Sequence, residues 1–185
     1  MFDRFFRRGR RGEGIPAALY GAIVAQARSA ALYRDFGVPD TVEGRFEMVV
    51  LHLALVLRHL RDGDGHVSAV GQSVFDTFCT EMDRSLREMG VGDLSVGKKM
   101  RQVGEAFYGR AAAYESALSG RDASDLASAL TRNVYAGAVP GMAVTSLAAY
   151  IFGADEALAR GAAGLREGAV RFPEPESFVP AEARP

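Results

Sequence analysis

The chain has 185 residues, enough for one domain with tails. Its hydrophobic fraction of 48% and charged fraction of 24% are those of a globular chain and exclude a disordered one. A net charge of -1 excludes a global polycation that would hold DNA, and one cysteine and three histidines exclude, within one chain, a disulfide framework, a CxxC redox pair and a thiolate zinc site.

The charge is uneven. Residues 1–12 carry Arg4, Arg7, Arg8, Arg10 and Arg11 against Asp3, a local charge of +4 that leaves -5 on the remainder. Phe2, Phe5 and Phe6 are interleaved with these arginines, and Phe2 and Phe6 stand at i, i+4. Aromatic insertion with arginine attraction is the physics of contact with an anionic membrane, and the same arginines suit ribosomal RNA. A solvated chain end is the alternative. The segment also imitates a secretory leader, because the apolar run Ile15–Ala25 leads into Ala25-Gln26-Ala27. Glu13, Tyr20 and Gly21 make a poor leader, whereas Leu19, Ile23, Ala27 and Ala30 recur at helical spacing behind Pro16. The spacing predicts a first helix over Ile15–Tyr33.

Tyr33–Thr41 reads as a connection punctuated by Gly37 and Pro39. Asp40, with Glu43 three residues on, has capping-box spacing and predicts a helix to about Leu60. Phe46, Met48–Leu51, Leu53 and Leu55–Leu57 cover nearly its whole circumference, which marks the buried central helix. Asp62-Gly63-Asp64-Gly65 stops it. Ser68 caps the next helix, to Met89, with an apolar stripe of Val70, Val74, Phe75, Phe78, Met82, Leu86 and Met89. Asp83–Arg87 and Arg84–Glu88 are i, i+4 pairs on it, and Gly90 suits the C′ position. Asp93 or Ser95 opens a helix to about Leu118 whose seam is Val96, Met100, Val103, Phe107, Ala111, Tyr114 and Leu118. Asp122 or Ser124 starts a shorter helix to about Tyr135. Val134–Ala154 is uncharged over 21 residues, but Pro140-Gly141 interrupts it, so short packed helices, the last over Pro140–Ile151, are expected rather than a membrane span. From Phe172 onward Pro173, Pro175 and Pro180 stand among acidic residues and read as loose. No strand-length alternation appears. The fold expected is all-α, a single-domain bundle of five to seven helices: a basic segment over 1–14, the helical domain over 15–153, and an extension over 154–185.

Three motifs invite chemistry. Gly92–Lys98 matches G-x-x-x-x-G-K, but Lys99 stands where a P-loop needs a hydroxyl and no strand precedes it. Lysines this near a helix start oppose its dipole, a cost that a partner's carboxylates or solvent would offset. Asp62–His66 lacks the terminal glutamate of a calcium loop. His52 and His59 share a face of the central helix; the default is a hydrogen-bonded core histidine, and the alternatives are haem handling or, with Asp83 and Arg87, a helical enzyme acting on a lipid or quinone-like molecule. Cys79 reads as a small core residue.

The strings Gly37-Val38-Pro39-Asp40-Thr41 and Gly44-Arg45-Phe46-Glu47-Met48, Met82-Asp83-Arg84-Ser85-Leu86-Arg87-Glu88-Met89-Gly90-Val91-Gly92-Asp93, Gly97-Lys98-Lys99-Met100 and Ala106-Phe107-Tyr108-Gly109-Arg110 resemble, in that order, the ubiquinol–cytochrome c chaperone family. The likeness runs from about Leu19 to Tyr150. It implies a non-catalytic assembly factor for the cytochrome bc1 complex, without cofactor, that holds newly made cytochrome b. It allows a second assembly subunit and a ribosomal location, and it implies a cytoplasmic protein peripheral on the inner face of the membrane. Asp83, Arg84, Arg87, Glu88, Asp93, Lys98, Lys99, Tyr108 and Arg110 are the matched polar positions expected to bind the partner; ion pairing within the bundle is the alternative role. Met82, Met89, Met100 and Phe107 are the expected walls of a client groove.

Overall fold

Residues 46–57, apolar on nearly every side, form the centre of the bundle. The computed structural model describes residues 14–137 and 141–180. Its central helix, α3 (Val42–His59), is covered by α1 (Ile15–Ala27), α5 (Asp93–Gly120) and α7 (Gly141–Arg160). The helix α4 (Ala69–Glu88) lies against α1 and α5, and α6 (Ala123–Asn133) against α5 and α7. Two five-residue helices, α2 (Ala30–Arg34) and α8 (Ala162–Arg166), and a 3-10 turn at Pro175–Phe178 complete the described residues. Six of these helices have eleven residues or more and none of the regular elements is a strand, so the described chain is an all-α bundle.

Several local expectations hold for the reasons given. The Ser68 hydroxyl accepts from the Gly71 amide at 3.2 Å and caps α4. The Asp122 carboxylate accepts from the Ser124 and Asp125 amides, both at 2.9 Å, and caps α6. Gly90 closes α4 with φ +88°, and the Val91 amide reaches back to the Leu86 carbonyl at 3.0 Å.

Four expectations need correction. Thr41, not Asp40, caps α3: its hydroxyl accepts from the Gly44 amide at 3.1 Å, while Asp40 pairs with Arg45 at 2.6 Å. The expected helix Ile15–Tyr33 is broken at Arg28–Ser29, where Ser29 turns extended. Tyr33 donates to the Ala27 carbonyl at 2.7 Å across that break, and the turn buries Leu32 and Phe36. The helix expected over Pro140–Ile151 runs on as α7 to Arg160, through the boundary expected at 153/154. Residues 142–160 are long and apolar enough to cross a bilayer, yet Leu147, Tyr150, Ile151, Ala154 and Leu158 are buried in the protein core. Finally, residues 172–180 are docked. The Phe172 and His52 rings meet edge to face, the Phe178 ring lies edge-on to Tyr150, and Val179 is buried. A Cβ at Gly153 would stand 2.4 Å from the Phe178 ring, so the absence of a side chain there makes the seat for it. Burial of these apolar residues outweighs the Pro-rich, acidic composition that suggests a loose tail.

Candidate partner-binding surface

The helical hairpin α4–α5 leaves the bundle. From Cys79 to Ser95 no residue is fully buried, although both helices continue. The forces that shape this arm are local. Arg87 Nε bonds Asp83 at 2.7 Å, and its terminal nitrogen bonds Asp93, tying the last turn of α4 to the first turn of α5. Arg84 bonds Glu88 at 3.1 Å. Lys98 and Lys99 are exposed on the second turn of α5 and form no ion pair with a described residue. Asp83, Arg84, Arg87, Glu88, Asp93, Lys98 and Lys99 are thus brought together on one projecting element. Residues 1–13, with Phe2, Arg4, Phe5, Phe6, Arg7, Arg8, Arg10 and Arg11, lie outside the described residues.

Tyr108 stands nearer the bundle, 63% exposed, with its ring 5.7 Å from Phe75 and 5.5 Å from Phe107. It ends a chain of aromatic contacts that passes through Phe107 and Phe78 to Tyr20 in α1. Arg110 is different. Its guanidinium holds the Glu47 carboxylate bidentately, and Glu47 is buried on α3. Burial pushes the Glu47 pKa up and the Arg110 charge pulls it back down, while the paired Arg110 is pushed up. The pair joins α3 to α5 inside the fold, which is the alternative role for this position.

The expected groove walls separate too. Phe107 is buried in the core, and Met82 packs on it. Met89 is 60% exposed. The most exposed large apolar side chain among the described residues, Leu94 at 102%, belongs to none of the expected surfaces. Its signal in the sequence is a matter of spacing: Leu94 precedes Val96 by two residues and so falls off the seam that Val96 begins.

The histidines have core roles. The His52 Nδ1–H donates to the Met48 carbonyl at 2.7 Å, so Nε2 accepts from the Tyr150 hydroxyl at 2.8 Å. Tyr150 in turn accepts from Gln26 Nε2 at 2.9 Å, and Gln26 also donates to the Pro173 carbonyl at 3.2 Å. Burial pushes the His52 pKa down to about 4, with the Met48 carbonyl opposing, and the ring is neutral at pH 7. Haem ligation through Nε2 would have to displace Tyr150. His59 bonds Asp155 at 2.7 Å, and Arg58 bonds the same carboxylate at 3.1 Å. Asp83 and Arg87 stand on the arm and His52 in the core, so the three do not converge on one site. Among the described residues no group of three or more His, Cys, Asp or Glu is placed to hold a metal ion.

The sequence profile described as "Ubiquinol-cytochrome C chaperone" matches residues 34–172, three quarters of the chain. The chain belongs to this chaperone family. A solved structure described as the Cbp3 homolog from Brucella abortus is 36% identical, with a TM-score of 0.81, over 95% of this chain and 98% of that one. No curated protein sequence matches the chain. The family match spans the whole projecting arm, the Glu47–Arg110 pair and the His52–Tyr150 hydrogen bond, and it ends at Phe172, where the docked C-terminal segment meets His52.

Proposed function

We propose that this protein is a non-catalytic assembly chaperone of the cytochrome bc1 complex that grips newly made cytochrome b at the cytoplasmic face of the membrane. Family membership over residues 34–172 carries the reading. The arm supplies a means, since it presents Asp83, Arg84, Arg87 and Lys98 on helices that are accessible on most sides. Charged rims set register and association rate, and exposed pairs contribute little to folding, so these residues are available for recognition. The basic residues 1–12 would keep the protein near an anionic surface, and a second assembly subunit would share the client.

The test is deletion of the coding region followed by a spectrum of membrane b-type haem. Loss of the b-haem band, restored by the wild-type chain and not by Arg84→Ala/Arg87→Ala or Lys98→Glu variants that fold normally, is expected. A deletion strain with normal b-haem would remove the proposal. Full rescue by the arm variants would move the client site elsewhere on the bundle.

A further inference from the structure

The apex of the α4–α5 arm carries a pattern that client recognition does not require. Leu94 is completely exposed, Met89 is 60% exposed, and Val91 stands half-buried between them in the turn. Leu94, Lys98 and Arg101 follow at i, i+4 and i+7, so they share one face of α5, and all three are exposed. With a rise of 1.5 Å per residue, Lys98 lies about 6 Å and Arg101 about 10 Å behind Leu94 along the helix. An interfacial helix buries its apolar face about 5–10 Å into the headgroup/acyl boundary, so with α5 near the bilayer normal both cations stand within headgroup depth when Leu94 is inserted. Lys99 adds a third cation beside them, and none of the three is in an ion pair with a described residue. The apex acids are already matched: Asp93 is held by Arg87 and Glu88 by Arg84. Glu105, the next residue on the Leu94 face, is about 16 Å behind the apex and clear of the surface.

We infer that the apex of this arm docks on an anionic lipid bilayer, with Leu94 and Met89 entering the acyl boundary and Lys98, Lys99 and Arg101 meeting lipid phosphates. The apolar contact is a convex point of a few residues, neither a groove nor a broad face, and a deformable surface accommodates such a point better than a folded protein does. The free cations select a surface of negative charge. An anionic surface also offsets the unfavourable placement of lysines near the start of α5. The site lies away from the start of α1. Ile15 stands beside Gly168, and Arg166 donates to the Arg61 carbonyl at 2.8 Å, so α1 begins at the end of the bundle where α3 finishes and α4 starts. The apex is at the other end of α4.

The chain contains no tryptophan, so Leu94→Trp introduces a single indole, excited apart from the tyrosines, at the apex of the full-length protein. Leu94 is fully exposed, and the substitution leaves the thermal midpoint unchanged. With vesicles of phosphatidylcholine and phosphatidylglycerol, the emission shifts to the blue and is quenched by shallow brominated acyl chains. With phosphatidylcholine alone it does not shift. Replacing Lys98, Lys99 or Arg101 by alanine weakens the partition read from the apex indole by about fivefold for each cation removed. A control indole placed by Ser128→Trp on α6, at the far end of α5, shows no shift. Emission that stays water-like while the protein co-sediments with anionic vesicles would overturn the inference and assign the binding to another segment. So would equal insertion into neutral vesicles, or a shift produced by detergent-solubilised cytochrome b but not by lipid. The inference stands independently of the client reading: b-haem loss in the deletion strain with a silent apex indole fails one and not the other.

Discussion

Replacing Arg110 by alanine removes one half of a charge pair that joins α3 to α5. The Glu47 side chain is 8% exposed and the Arg110 side chain 25%. Breaking a buried pair from one side costs about 3–5 kcal/mol, because the remaining charge is left without compensation. Arg110 is partly screened by solvent, which brings the expected loss to about 3 kcal/mol. For a chain of this length that corresponds to a fall of roughly 6–12 °C in melting midpoint. The pH dependence identifies the cause. Without Arg110, burial alone acts on Glu47 and its pKa rises further above the usual value of 4.5. A carboxyl whose folded pKa is raised stabilises the fold below its unfolded pKa and loses that contribution as pH rises through the folded pKa. The variant is therefore closest to wild type near pH 4 and furthest from it above neutral. Glu47→Gln combined with Arg110→Ala should recover a large part of the loss at pH 7. Denaturant unfolding at pH 4, 5.5 and 7.5 measures all of this. A loss below about 1 kcal/mol at pH 7.5, or one that does not change with pH, would show that the pair is not what holds α3 to α5 at this level.

Other perturbations separate in the same way. His52 is fully buried with a pKa of about 4 against 6.5 when free, so the fold is destabilised as pH falls from 6.5 towards 4, by up to about 3 kcal/mol. His52→Asn should flatten that slope in a pH series of unfolding curves, at a cost in stability at neutral pH. Gly153→Ala forces the Phe178 ring from its seat, with an expected cost of about 1–3 kcal/mol. Limited proteolysis should then cut within residues 170–180 while the core persists, and Phe178→Ala in the same chain should relieve the overlap. Arg87→Ala unlinks the arm's last turn but disturbs only exposed groups, so its melting midpoint stays near wild type. Deleting residues 1–12 should reduce co-sedimentation with membranes or ribosomes without changing the thermal unfolding of the core.

How much of the fold is legible in the sequence follows from the range of the forces involved. The Ser68 cap, the left-handed Gly90 and the pairs Arg84–Glu88 and Asp83–Arg87 are decided within four residues, and the spacing alone identifies them, while it narrows the cap of α6 to Asp122 or Ser124. The central helix is legible because it is apolar on almost every side. The break between α1 and α2 is not, because a turn anchored by Tyr33 on the Ala27 carbonyl competes with an equally good helical repeat. The docked C-terminal segment depends on Gly153 and His52, far back in the chain, and its Pro-rich composition points the other way. The role of Arg110 is hidden for a related reason. A matched polar residue reads as a binding residue until its partner, 63 positions away, is seen to be a buried carboxylate.

The two populations of charge in this molecule therefore answer different questions. The ion pairs that join helices within the bundle span long separations: Glu47 with Arg110, Arg58 with Glu115, and Arg58 with Asp155. Each bridges two helices, so altering one perturbs helix packing as well as surface charge. On the arm, Arg84–Glu88, Arg87–Asp83 and Arg87–Asp93 join residues no more than six apart, and no core lies beneath them. An element shaped by local forces and without a fully buried residue can change its surface chemistry at little cost to the rest. Substitutions at Arg84 or Arg87 that abolish maturation of b-type haem can thus be read as lost recognition of the client, and one at Lys98 as lost recognition of the client or of lipid, because the bundle gives no independent reason for them to fail. The same phenotype at Arg110 can be read only after stability has been measured, because there the loss of the protein and the loss of its client look alike.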